Sequence, residues 1–125
     1  MTTITDDTIL ERVADIFAAR LEEPRPNAGY GMDRKDCCLI GAVYLICTGE
    51  TYKSELETQT MPVGPLRSAF ERTIQRLYDA IPKEQRSAIR TEPGMPPLMQ
   101  KCRVIESWYD RTDDHAATLD LVKRA

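Results

Sequence analysis

The chain is poor in several of the residues that most often carry chemistry: one histidine, one tryptophan and two phenylalanines in 125 residues, with aromatics at 6%. Any cysteine–histidine couple must therefore use His115. The four cysteines form no C-x-x-C pair, which removes the usual spacing of zinc ribbons and thioredoxin-like sites. Cys37 and Cys47, ten positions apart on one predicted helix, would sit about 15 Å apart, and adjacent Cys37 and Cys38 diverge by about 100° around the axis. No structural zinc is expected, and no cofactor is implied. The longest unbroken apolar run, Cys37 to Cys47, falls far short of the roughly 18–20 residues that span a bilayer. Neither charge sign dominates: 17 Lys plus Arg face 20 Asp plus Glu, a net charge of -3. A dedicated nucleic-acid binder would carry a clustered basic excess, so nucleic acid is not an expected partner, and neither is a membrane. The Gly-x-Gly in GYGMDR, residues 29 to 34, has no preceding strand, no third glycine and no Lys-Ser or Lys-Thr, so it is read as a loop hinge.

What is present suits one helical core. Apolar residues make up 42%, and a chain this long buries roughly two-thirds of its unfolded surface, enough for a single domain without disulfides or metal. The polar, acidic start MTTITDDT does not resemble a secretory signal. Together with cysteines set in apolar patterns, this predicts reduced thiols and a cytoplasmic location.

Helix boundaries are marked by local chemistry. Thr5 can cap a first helix, with Asp6 and Asp7 at the positive end of its dipole and Ile9, Leu10, Val13, Ile16, Phe17 and Leu21 on one face. Residues 22 to 35 hold two prolines and two glycines and predict a long loop. Asp36 is the expected N-cap of a second helix that runs to Thr48 and stops at Gly49. That helix is apolar almost all round and is predicted to be central. Cys37, Gly41, Tyr44 and Thr48 share one strip of it, Tyr44 being the only large member. Residues 50 to 63 are weakly patterned, a second long loop with a short helical turn. Pro65 suits the first turn of a third helix whose buried stripe is Leu66, Ala69, Phe70, Thr73, Ile74, Leu77, Ala80 and Ile81, broken by Pro82. Lys83 to Arg90 predict a short continuation. Pro96 and Pro97 introduce a helix carrying Leu98, Cys102, Ile105 and Tyr109, flanked by Met99 and Trp108. The last helix starts at Asp113 or Asp114, with Ala116, Leu119 and Val122 along one face. With no period-two alternation, the expected fold is all-α: a single compact domain of four main helices, a short extra helix and two long loops.

Charge is unevenly divided: residues 1 to 63 hold 6 basic and 11 acidic side chains, residues 64 to 125 hold 11 and 9. Acidic residues interrupt the basic run after Gly64 at helix-pair spacing, which predicts a solvated face with intrahelical ion pairs, an acidic partner docking there being the other reading.

Two segments, CCLIGAVYL at 37 to 45 and VIESWYDRTDDHAATLDLVKRA at 104 to 125, together about a quarter of the chain, carry a likeness to known sequences. Cys38, Gly41 and Ala42, followed much later by Trp108, Asp110, Arg111, His115, Ala116, Leu119, Leu121 and Ala125, resemble a family of small proteins from actinobacteria and their tailed phages. The family has no assigned activity, so the resemblance implies a fold and a biological context. Tyr109 stands where the family more often has Asn, and Asp114 where Thr is commoner.

Two constellations remain as candidate sites. If Asp36 caps the second helix, Cys37 and Cys38 lie in its first turn, where the dipole and nearby Arg34 and Lys35 would favour a thiolate. The Asp36 carboxylate and the apolar run that follows act in the opposite direction, so buried, inert cysteines are the main expectation. The alternative is a thiol-dependent enzyme or redox-responsive regulator using Cys37 or Cys38 with His115 and an orienting Asp110. The second constellation is Trp108, Tyr109, Asp110 and Arg111. Here one aromatic plugs the core while Asp110 and Arg111 fix the turn through hydrogen bonds and an ion pair, or the group forms a recognition patch for a protein partner. Lacking an acid–base pair, metal-ligand spacing and a phosphate loop, the sequence favours a non-enzymatic interaction or regulatory protein, phage-encoded or phage-related and acting on a host macromolecule.

Overall fold

The structure, a computed structural model, describes residues 4–22, 38–50 and 60–125. Within them every regular element is a helix: α1 Asp6–Glu22, α2 Leu39–Thr48, α3 Pro65–Ala80, α4 Lys83–Ser87, α5 Pro97–Thr112 and α6 His115–Arg124. The all-α expectation holds, with five helices of ten residues or more rather than four among the described residues. The expected cap Asp36, Cys37 and the GYGMDR hinge lie outside the described residues, as does most of the weakly patterned stretch before Met61.

The ends form where local chemistry favours them. Thr5 Oγ1 accepts the Thr8 backbone N–H at 3.2 Å, closing the start of α1. Pro65 opens α3 and Pro97 opens α5, each at a position where the missing N–H has no intrahelical partner to lose. Gly49 ends α2 in the left-handed region at φ 76°, a conformation costly to side chains with a Cβ. The start of α2 departs from expectation. Cys38 is the N-cap, extended at φ -72° and ψ 156°, and its sulfur accepts the Gly41 N–H at 3.0 Å. The helix therefore begins beyond the cysteine instead of enclosing it.

One contiguous core joins all five longer helices. Ile9, Val13 and Phe17 of α1 meet Leu39, Ile40 and Val43 of α2, Phe70, Ile74 and Leu77 of α3, Cys102 and Ile105 of α5, and Leu121 of α6, all fully buried. Removing a side chain of this size from water contributes about 1.5–3 kcal/mol. Tyr44 and Phe70 pack edge to face with centroids 6.4 Å apart. The last turn of α2, from Leu45, is only partly buried, so this apolar helix is less enclosed than its composition predicts.

The buried face of α6 is Thr118, Leu121 and Val122, whereas Ala116 is exposed and Leu119 partly so. Thr118 can be buried because its hydroxyl donates to the Asp114 carbonyl at 3.0 Å, and Thr73 does the same toward Ala69 at 2.8 Å. In α5 the inward residues are Cys102, Val104, Ile105 and Trp108, with Tyr109 partly exposed.

The arginines of α3 are partnered mainly across helices. Arg76 Nη1 lies 2.7 Å from Asp6 Oδ2 and 2.6 Å from Asp7 Oδ1. Its Nε donates to the Ala125 carbonyl at 3.0 Å, and Arg72 reaches Asp6 at 3.3 Å. Arg67–Glu71, at 3.8 Å, is the i to i+4 pair of the kind the sequence predicts. One cluster thus ties the start of α1, the middle of α3 and the end of α6.

Candidate functional site

Those sequence candidates that fall in the described residues converge on one end of the bundle, where α1 finishes, α2 begins and α5 turns into α6. Trp108, near the end of α5, is 7% exposed and belongs to the core. Its indole N–H donates to Gln85 Oε1 of α4 at 2.7 Å, which satisfies the one polar atom of the side chain. It is therefore not part of an exposed patch. Tyr109, about 100° further round the helix, packs edge-on against Phe17 with centroids 5.9 Å apart.

The turn itself is set by two aspartates. Asp113 adopts φ 44° and ψ 45°, ending α5 in the left-handed region, and its N–H donates to the Tyr109 carbonyl. Asp114 caps α6, accepting from the N–H groups of Ala116 at 2.8 Å and Ala117 at 3.3 Å. Asp110 and Arg111 take no part in this. Both are exposed, and among the described residues neither side chain makes a hydrogen bond or an ion pair. Side chains one residue apart on a helix point in different directions and do not face each other. The expectation that this pair fixes the turn is replaced by Asp113 and Asp114.

His115 sits inside the corner. Its ring meets Phe17 edge-on, centroids 5.7 Å apart, and Nε2 lies 3.4 Å from Tyr109 Oη, a long hydrogen bond. Burial, with the Arg20 guanidinium nearby, lowers its pKa below the ordinary histidine value, which favours the neutral ring. Arg20 itself lies over the Phe17 ring, 4.9 Å from the centroid.

Cys38 faces the same neighbourhood, with Arg20, Glu106 and Asp110 close enough to act on its charge. Burial pushes its thiol up to about 11, and the two carboxylates reinforce this against the opposing Gly41 N–H and Arg20. Cys47 is pushed up to about 12 by burial alone. Cys102 is fully buried in α5. The geometry thus brings Cys38, His115 and Asp110 to one end of the bundle but keeps the Cys38 thiol protonated at neutral pH. Among the described residues no group of three or more His, Cys, Asp or Glu side chains could hold a metal ion, and no helix is long and apolar enough to cross a membrane.

Sequence reasoning missed the role of Arg20, which lies near both Cys38 and His115. Its position at the last turn of α1 reads locally as an ordinary charge near the negative end of a helix dipole. Its stacking on Phe17 is an i to i+3 contact within α1, and only the tertiary arrangement brings it beside Cys38 and His115.

The class defined by these features is a small all-helical chain with a charged corner braced from within. Compared with protein-family models, curated proteins and solved structures, the chain matches none.

Proposed function

We propose that the chain is a non-enzymatic interaction protein that binds a protein partner through the α5–α6 corner, with Asp110 and Arg111 as its contacts and Tyr109 at the margin. The observation that carries this reading is the state of those two charges: adjacent, exposed and without partners among the described residues. They stand in the last turn of α5, next to a turn held by the Asp114 cap and the left-handed Asp113. A preorganised backbone lowers the ordering cost of binding, and arginine is among the side chains that most often anchor interfaces. Trp108 supports the corner from below. The sequence resemblance supplies the context, a phage-related protein acting on a host macromolecule in an actinobacterial cytoplasm. The alternative, thiol chemistry with Cys38, draws no support from a partly buried thiol raised to about 11.

The test is capture from an actinobacterial lysate by the wild-type chain and by Arg111→Glu, both confirmed folded. A partner retained by the first and lost by the second is expected. The same set of proteins on both, or none on either, overturns the assignment.

A further inference from the structure

A second surface, between the first half of α3 and the opposite end of α5 from the α5–α6 turn, carries unspent charge. Gln85, just after α3, meets Trp108 near the end of α5, whereas the first turn of α5 lies beside the first half of α3, so the two helices run in the same sense. Between their leading halves is an open groove of about 370 Å³ lined by Ser68, Arg72, Gln75, Pro97, Leu98 and Lys101, with Glu71 at its side. The volume falls near the lower end of ordinary ligand pockets.

Its charges are unequally committed. Lys101 is partly buried in the groove, yet among the described residues its ammonium has no hydrogen bond or ion pair. Among the described residues Arg72 engages only Nε, on Asp6 at 3.3 Å, leaving both terminal nitrogens as donors in the fork geometry that matches a carboxylate. Glu71 is drawn toward Arg67 on its own helix. Among the described residues the Ser68 hydroxyl also makes no hydrogen bond, while Leu98 and Pro97 supply an apolar floor. Beside this apolar surface, a partly buried Lys101 without a partner among the described residues and an exposed Arg72 with donors to spare fit an anion that brings an apolar side chain with it.

We propose that this groove docks an acidic segment of a partner protein, in which Asp or Glu side chains flank a leucine-like residue. The carboxylates engage Arg72 and Lys101, and the apolar residue covers Leu98 and Pro97. A peptide suits the groove better than a free phosphate, because Glu71 repels concentrated negative charge and a lone anion leaves the apolar floor uncovered. The proposal rests on the reading of the chain as a binding protein but not on the α5–α6 corner.

The experiment is an amide NMR titration of the full chain with the capped peptide Gly-Asp-Glu-Leu-Asp-Gly. Saturable shifts confined to residues 68 to 75 and 97 to 101 are expected, weakened about tenfold by Lys101→Gln or Arg72→Gln, as loss of one charge-assisted contact implies. Both variants must retain the wild-type melting temperature. Arg111→Ala must leave the titration unchanged, which separates this proposal from the corner. No saturable shift, shifts insensitive to both groove variants, or loss of binding in Arg111→Ala overturns it. So do equal shifts from the Lys-for-acid peptide, inorganic phosphate or an oligothymidine.

Discussion

Trp108 is the residue for which an interface role and a core role predict opposite outcomes. The substitution Trp108→Ala removes a side chain that is 7% exposed and leaves Gln85 without its indole donor. Truncating a buried Trp costs about 3–5 kcal/mol, most of it lost transfer energy and the residual cavity. The hydrogen bond adds little, because Gln85 is exposed and its amide returns to water. For a chain between the small and medium size classes, this corresponds to a melting temperature lower by about 10–20 °C. Trp108→Phe, which keeps a ring but loses the N–H, should cost about 1–2 kcal/mol. Because the sequence has one tryptophan, its fluorescence reports this site alone. Emission should be blue-shifted in the native state and move to the hydrated value in step with the loss of helical circular dichroism. A native emission already at the hydrated value, with Trp108→Ala melting within about 2 °C of wild type, would refute the burial and return Trp108 to the surface patch.

Other consequences are equally accessible. In a Cys37→Ser background at pH 7, maleimide should label native Cys38 at least about a hundredfold more slowly than after denaturation, since raising a thiol from 9.0 to about 11 lowers its thiolate fraction by that factor before access is considered. Fast labelling of the native chain would contradict the assignment of an inert cap. Asp6 is held below its ordinary value by the Arg76 hydrogen bond, against the opposing effect of burial, so its stabilisation is present above the unfolded value of 3.8 and is lost as pH falls through the folded one. The stability gap between wild type and Asp6→Asn should accordingly be constant near neutrality and close below about pH 4, and a gap that widens in acid would count against the cluster. Asp114→Ala should cost about 1 kcal/mol in urea unfolding and Asp114→Asn much less, since Asn can still accept the same two N–H groups; equal losses would mean that charge rather than capping matters.

Most helix ends were legible in the sequence where the signal is local, the start of α2 at Cys38 being the exception. Thr5, Gly49, Pro65, Pro82, Pro97 and Asp114 each act on backbone groups within one turn, and the structure places each at an end of an element or directly beside one. Which face points inward was legible only for the stripes without competing choices. In α3 the spacing from Ala69 to Leu77 allows one solution. In α6, Thr118 reads as polar until its hydroxyl is paired within its own helix, and that local bond shifts the buried face onto Leu121 and Val122. Trp108 and Tyr109 are adjacent and both large, so the inward one depends on Gln85 and Phe17, elements distant in sequence. Arg76 makes the same point: its partners Asp6 and Asp7 lie 70 and 69 positions away, beyond any i to i+4 reading. For the candidate site, the corner was legible as a place but not in its division of labour. The aspartates at 113 and 114 hold the turn, and the pair at 110 and 111 is left to the surface.

The central claim is that the exposed charges of the corner bind while the residues beneath them only support. It is tested most directly by measuring a captured partner's affinity for the wild-type and Arg111→Ala chains, with their melting temperatures recorded in parallel. The account predicts a loss of at least about tenfold in affinity, the equivalent of 1.4 kcal/mol, with an unchanged melting temperature. Equal affinities, or a loss that appears only together with a lowered melting temperature, would contradict it.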